Sequence, residues 1–389
     1  MRRLATSVLA GVTSVLAGVT SVLAGVLVLP TGGAAARPVA GTAPGQPVAG
    51  VRAAAGTPVC TVDDERLPEI SGLAATGDGY VVVNDGSDVD NRRRVFFLGR
   101  DCAVTRSVRY PSRPRDTEDL ARAPDGTIWI GDIGDNDRVR DTVALWKLAP
   151  GAGAPVLHRV SYPDGAHDAE ALLLSADGTP IIVTKDPGTP GLYSPDGALR
   201  PGRTVPLRRV GQFTLPRSTT SNPYSIFGPQ LVTGGAVAPD GSRVVLRTYA
   251  DALEFEVPDG DVVRAVVTGT PRIIPLPDEP QGEAISYSPD GTALLTLSEK
   301  AEGESAADPV LLRYPVADRE RSAPSSATPG AAPRAAPDDP EVGRARPAES
   351  HQDVTGHFVT AVAATLLLLT AAGGFAVRRA RRRPPGRAR

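Results

Sequence analysis

The 389-residue sequence predicts an all-β fold: a β-propeller of about five four-stranded blades, with six as the alternative count. An N-terminal signal segment and one C-terminal transmembrane helix frame it. Three observations carry that expectation. A tight-turn element recurs five times at intervals near fifty residues, short apolar runs of strand length flank each turn, and long uncharged stretches stand at the two ends of the chain.

The turns are Gly77-Asp78-Gly79, Pro124-Asp125-Gly126, Ala176-Asp177-Gly178, Pro239-Asp240-Gly241 and Pro289-Asp290-Gly291, with aspartates 47, 52, 63 and 50 residues apart. Pro-Asp-Gly suits a type I turn closed by a glycine in the left-handed region, a common hairpin connection. A short apolar run precedes each turn. A stronger strand follows it, at 80–83, 127–130, 181–183, 244–246 and 293–297, and a third lies at 95–98, 143–148, 191–193, 252–255 and 310–314. Fourth strands are expected at 104–110, 157–162, 211–215 and 262–267. Four antiparallel strands per fifty residues make a propeller blade. The fifth unit ends after its third strand, and residues 59–62 are expected to supply the missing outer strand and close the ring. A β-sandwich with coincidental turns is the alternative fold.

Residues 1–36 read as a signal peptide: Arg2 and Arg3, the heptad TSVLAGV three times over, then Gly33-Ala34-Ala35-Ala36 as a cleavage site. An uncleaved anchor is the other reading. Residues 37–57 form an Ala/Gly/Pro-rich lead-in, 58–317 the propeller, and 318–357 an Ala/Pro-rich stalk. Residues 358–377 carry no charge and have the length of a bilayer crossing, and the seven arginines of 378–389 place the tail in the cytoplasm. The expected location is therefore the cell membrane, with a single pass and the propeller outside.

The whole chain has a formal net charge of −2 despite those terminal arginines, so the region between is acidic. That disfavours nucleic acid and anionic membrane surfaces as partners and favours cations and cationic ligands. Cys60 and Cys102 are the only cysteines, and in an exported chain such a pair reads as a disulfide. Two free buried thiols is the alternative.

The turns also fix which residues meet. Positions seven and nine before each aspartate, and seven or nine after it, lie at the far end of the inner hairpin on one strand face. Those positions hold Asp116 and Glu118, Asp168 and Glu170, Gln281 and Glu283, Asp85, Asp132 and Glu299. Carboxylates of four blades thus converge on the channel rim opposite the turns. Like charges so placed repel unless a cation sits among them, and Ca²⁺ takes six to eight oxygens from flexible loops. Turn capping or pairing with arginines is the plainer use of the same acids. Lys185 and Lys300 stand just past the second strands, but strand parity sets both on the face opposite the acids unless the strands end first. No nucleophile elbow, metalloprotease helix motif or Walker loop is present, and His167 beside Asp168 reads as a surface histidine, with a ligand or general base as the alternative.

The recurring acid-x-acid followed by the turn, as in Asp168-Ala169-Glu170-Ala171-Leu172, resembles bacterial propellers of the phytase-like and esterase-like group. The resemblance implies Glu118, Glu170, Glu283 and Asp132 as Ca²⁺ ligands, and the rim convergence adds Asp85 to them. It implies Lys185, Arg247 and Tyr249 as the ligand-binding set for an anionic group, beside which the rim position sets Glu299. Blade four departs from the pattern, with Leu231 and Thr233 in place of acids, and five blades replace the six of phytases. A membrane-held metal-dependent hydrolase binding a small anionic ligand is one expectation. A non-catalytic interaction propeller docking envelope proteins is the other.

Overall fold

The computed structural model describes residues 55–300 and 307–316. The signal segment, stalk, transmembrane helix and tail expected from the sequence lie outside them. Among the described residues no helix is long and apolar enough to cross a membrane.

Twenty strands build five antiparallel blades around an axis. Blade one runs β2 (Ile70–Ala75), β3 (Gly79–Asn84), β4 (Arg94–Gly99) and β5 (Val104–Arg109) from axis to rim. Blade two is β6 (Asp119–Arg122), β7 (Ile128–Asp132), β8 (Val143–Leu148) and β9 (Val156–Ser161). Blade three is β10 (Ala169–Leu174), β11 (Pro180–Thr184), β12 (Gly191–Pro195) and β13 (Thr204–Gln212). Blade four is β14 (Val232–Val237), β15 (Arg243–Thr248), β16 (Asp251–Glu256) and β17 (Arg272–Pro275). Blade five is β18 (Gly282–Tyr287), β19 (Ala293–Ser298) and β20 (Val310–Pro315), completed by β1 (Thr57–Thr61) from the start of the ring.

That closure is the one the sequence called for, with Thr57 facing Arg313 and Thr61 facing Val310. Cys60 on β1 is bonded to Cys102 in the β4–β5 turn, across a Cα separation of 5.8 Å. The closing strand of blade five is thereby fastened to blade one. Ring, seam and disulfide all lie between Thr57 and Pro315, so this segment contains its own complete core.

The hairpin turns behave as expected. Gly126, Gly178, Gly241 and Gly291 adopt φ of 85°, 80°, 72° and 70°. The preceding aspartates accept hydrogen bonds from the residue two on, as Asp125 does from the Thr127 backbone at 2.9 Å. Between neighbouring blades the inward faces pack into five apolar clusters, one per junction, such as Val83, Val95, Ile130 and Trp146 between blades one and two. Burying each such side chain stabilises the fold by roughly 1.5–3 kcal/mol.

Two fourth strands differ from expectation. Residues 262–267 form a helix, α1 (Val262–Thr268), and β17 takes the outer place instead. The run Val-Val-Arg-Ala-Val-Val is β-prone, yet Asp261 caps it by accepting from the Arg264 backbone at 2.9 Å. Val262, Ala265 and Val266 then fall on one buried helical face. In blade three the outer strand lies earlier, at Thr204–Gln212, because Thr204–Pro206 also pair in parallel with Arg159–Ser161 of blade two.

Candidate metal centre at the channel mouth

The site begins with a backbone irregularity. In blades one, three, four and five the inner strand bulges once against its neighbour, between Ile70 and Gly72, Ala169 and Ala171, Val232 and Gly234, and Gly282 and Ala284. The extra residues are Ser71, Glu170, Thr233 and Glu283, each seven before its turn aspartate. Glu118 holds the same position in blade two, just ahead of β6, with its N–H on the Gly131 carbonyl at 2.9 Å. A bulge re-aims the side chain it adds, so five equivalent positions present two hydroxyls and three carboxylates.

The hydroxyls are structural. Ser71 donates to the Thr117 carbonyl at 3.1 Å, and Thr233 donates to the Gly282 carbonyl at 3.0 Å, each tying its blade to the next. The glutamates converge: carboxylate oxygens of Glu118, Glu170 and Glu283 lie within 4.8 Å of one another. A second set, Asp85, Asp116 and Glu118, meets within the same limit and shares Glu118 with the first. Glu118, Glu170 and Glu283 are 3 %, 3 % and 4 % exposed.

Lys185 is the cation of this group. β11 ends at Thr184, so strand parity no longer governs the next residue. The Lys185 ammonium reaches Glu170 Oε1 at 2.5 Å and the Tyr249 hydroxyl at 3.2 Å. Tyr249 in turn donates to Glu283 Oε1 at 3.3 Å, where Gln281 Nε2 also stands at 3.3 Å. Glu170 Oε2 and Glu283 Oε2 are buried and meet no N–H or hydroxyl donor, although the Glu299 carboxyl lies in hydrogen-bond contact with Glu283.

Electrostatics follow from that crowding. Burial, then the neighbouring acids, push the carboxyls of Asp85 and Glu118 well above the ordinary range. Burial does the same to Glu170 and Glu283 against the pull of Lys185. Glu299, half-buried beside Glu283 and Asp85, is pushed up to about 11 by desolvation and by those acids. Burial alone would lower the Lys185 ammonium, but Glu170, Tyr249 and Glu283 outweigh it and hold it raised.

Other expected residues sit elsewhere. Asp132 accepts from Arg140 Nη2 at 2.9 Å, from the Asp116 backbone at 3.0 Å and from Trp146 Nε1 at 3.2 Å. A carboxylate so satisfied has little left for a metal. Arg247 is fully buried, paired with Glu279 and donating to the Ala284 carbonyl at 2.9 Å. It is a strut between blades four and five and does not face the lysine. Lys300 pairs with Asp308 at 2.6 Å. His167 lies between Asp164 at 3.1 Å and Asp186 at 3.4 Å, neither of them in the carboxylate group.

Two features escaped the sequence reading. Tyr224, in the insert ahead of β14, places its ring 4.2 Å from that of Tyr249 and donates to Gln281 Oε1 at 3.0 Å. Only the longer 63-residue interval hinted at it. Below the rim, fully buried Asp119 accepts from the Leu172 backbone at 2.9 Å and the Gly235 backbone at 3.2 Å, joining blades two, three and four.

No family model and no curated protein matches the sequence. Among solved structures the chain is similar to a luciferin-regenerating enzyme at 15 % identity, covering 65 % of this chain and 78 % of that one, with a TM-score of 0.36. A gluconolactonase from Xanthomonas campestris matches at 15 % identity over 68 % and 99 %, with a TM-score of 0.34. The PQQ-bound aldose sugar dehydrogenase of Streptomyces coelicolor matches at 11 % over 66 % and 97 %, with a TM-score of 0.35. Likeness this shallow adds nothing to the strand pairing, on which the propeller assignment stands.

The donor set fits a hard cation. It is all oxygen, drawn from three blades, with two buried oxygens that meet no N–H or hydroxyl donor. Two glycines make room for the carboxylates themselves: a Cβ on Gly134 would strike Glu118 Oε1, and one on Gly86 would strike Asp116 Oδ1. These glycines follow β7 and β3, in the loops that border the carboxylates.

Proposed function

We propose that this chain is an extracytoplasmic propeller, tethered by residues 358–377, that binds Ca²⁺ at the channel mouth and works as a metal-dependent hydrolase. One observation carries the metal reading: Glu170 Oε2 and Glu283 Oε2 are buried without an N–H or hydroxyl donor beside Glu118. A buried carboxylate oxygen left unpaired costs about 1–3 kcal/mol or more, and three buried carboxylates around one point, two of them with such an oxygen, need a cation or protons. Lys185 offsets only one charge. Glu118, Glu170 and Glu283 would hold the ion, with Asp85 and Asp116 on its flank.

A bound Ca²⁺ would polarise a carbonyl or phosphoryl oxygen and favour deprotonation of a water. The chain's own groups supply the rest. Lys185, with two of its three N–H donors on Glu170 and the Tyr249 hydroxyl, would present the third to an anionic substrate oxygen, and Asp85 and Glu299, carboxyls with raised proton affinity, would take or give a proton. The tether would keep this mouth near the cell surface.

The test is thermal unfolding of the chain with Ca²⁺ and with chelator. A ligand at a hundred times its dissociation constant stabilises by about 2.7 kcal/mol, so a higher midpoint in Ca²⁺ is expected. No shift at millimolar Ca²⁺ would remove the metal reading and leave a docking propeller.

A further inference from the structure

The N–H and hydroxyl donors around the glutamates of blades three and five all fall on one oxygen of each. The Lys185 ammonium takes Glu170 Oε1 at 2.5 Å, and the Tyr249 hydroxyl and Gln281 Nε2 both take Glu283 Oε1 at 3.3 Å. Neither Oε2 meets such a donor. These donors therefore select which oxygen is left to an ion.

The donors of Glu283 are themselves set by their neighbours. A phenol has one proton and an accepting oxygen. Lys185 donates to the Tyr249 oxygen at 3.2 Å, so the Tyr249 proton goes to Glu283. A primary amide has a donor end and an acceptor end of nearly the same shape. Gln281 turns its donor end to Glu283, and its acceptor end receives the Tyr224 hydroxyl at 3.0 Å. Gln281 lies nine residues before its turn aspartate, where blades two and three carry Asp116 and Asp168. An ionised carboxylate there would have no proton to give, so blade five alone of the three has a donor at that place.

Tyr224 reaches both donors of Glu283, with its hydroxyl on Gln281 and its ring 4.2 Å from that of Tyr249. The insert that carries it is pinned. The Tyr224 N–H donates to Asn222 Oδ1 at 2.9 Å, and Asn222 Nδ2 donates to the Thr220 carbonyl at 2.9 Å. Thr220 Oγ1 donates to Asp251 of blade four at 2.7 Å, and the Asp278 N–H, ahead of blade five, donates to the Ser221 carbonyl at 2.9 Å. A Cβ on Gly228 would strike Asn222 Oδ1, the acceptor that holds Tyr224.

We propose that Tyr224 is a positioning residue: acting through Gln281, its hydroxyl fixes Glu283 by Oε1 and leaves Oε2 for the ion. The inference rests on the metal reading above, and adds that the insert before blade four sets the affinity of the centre.

Calorimetric titration of Ca²⁺ into the chain compares wild type with Tyr224→Phe, Gln281→Met and the double variant. Phenylalanine keeps the ring on Tyr249 and loses only the hydroxyl, and methionine keeps the side-chain length and loses the amide. Partners that orient metal ligands typically change affinity 10–100-fold, and binding about 10-fold weaker is expected for each single variant. Because the hydroxyl acts through the amide, the double variant should bind as Gln281→Met does. Ile226→Ser, in the same insert and 74 % exposed, should leave the affinity unchanged. Wild-type affinity in Tyr224→Phe overturns the proposal and leaves the metal reading standing. Losses that multiply in the double variant, or an Ile226→Ser loss equal to that of Tyr224→Phe, overturn it too and give Tyr224 a packing role only. No Ca²⁺ bound by the wild type removes the metal reading and this inference with it.

Discussion

Lys185 occupies the place where the proposed metal would compete with a built-in cation. Its ammonium is 2.5 Å from Glu170 Oε1, so a Ca²⁺ on the same carboxylate, with oxygens at about 2.3–2.6 Å, stands about 5 Å from it. A single charge and a double charge at about 5 Å repel by about 2–7 kcal/mol for effective dielectrics between 80 and 20. Lys185→Met keeps the length of the side chain and removes that repulsion. Even the low end corresponds to Ca²⁺ affinity about 30-fold tighter. Without metal the same variant should lose stability, because a buried carboxylate without its partner costs about 3–5 kcal/mol, less whatever Glu170 recovers by taking a proton. Calorimetric titration of Ca²⁺ and metal-free unfolding give the two numbers. Unchanged or weaker Ca²⁺ binding in Lys185→Met would refute the placement of the ion among Glu118, Glu170 and Glu283.

The rim acids have raised pKa values in the fold, so the folded chain holds more protons than the unfolded one above about pH 4.3. Metal-free stability is then greatest on the acid side and declines as pH rises toward the folded value of about 11 for Glu299; unfolding at pH 5 and pH 8 with chelator checks the sign, and Ca²⁺ should reverse it while releasing protons. Asp119→Ala strands the Leu172 and Gly235 backbone donors in the hub and should cost about 2–4 kcal/mol by denaturant unfolding. Replacing Cys60 and Cys102 with alanine opens a link of 42-residue separation and should cost about 4 kcal/mol in the chain-entropy model; an unchanged midpoint would mean β1 holds the seam alone.

Much of the site was legible because each turn aspartate fixes its hairpin register, and register fixes face. Counting seven back from five aspartates reaches Ser71, Glu118, Glu170, Thr233 and Glu283, the five positions that line the axis. The bulges that turn these residues inward left no local signature, since Ser, Glu and Thr all occupy them. Parity misplaced Lys185 because β11 ends one residue before it. Asp132 and Arg247 had the right positions but found partners eight and thirty-two residues away, Arg140 and Glu279, which no periodicity reveals. The 262–267 run was decided by the Asp261 cap and not by β-propensity. Tyr224 came to Tyr249 through an insert with no repeat counterpart.

In the proposed function three blades meet around one divalent ion. Calorimetric Ca²⁺ titration of the wild-type chain, beside Glu118→Gln/Glu170→Gln/Glu283→Gln, tests it most directly. One Ca²⁺ per chain in the wild type and none in the triple variant is the expected result; binding retained by the variant, or absent from the wild type at millimolar Ca²⁺, would contradict it.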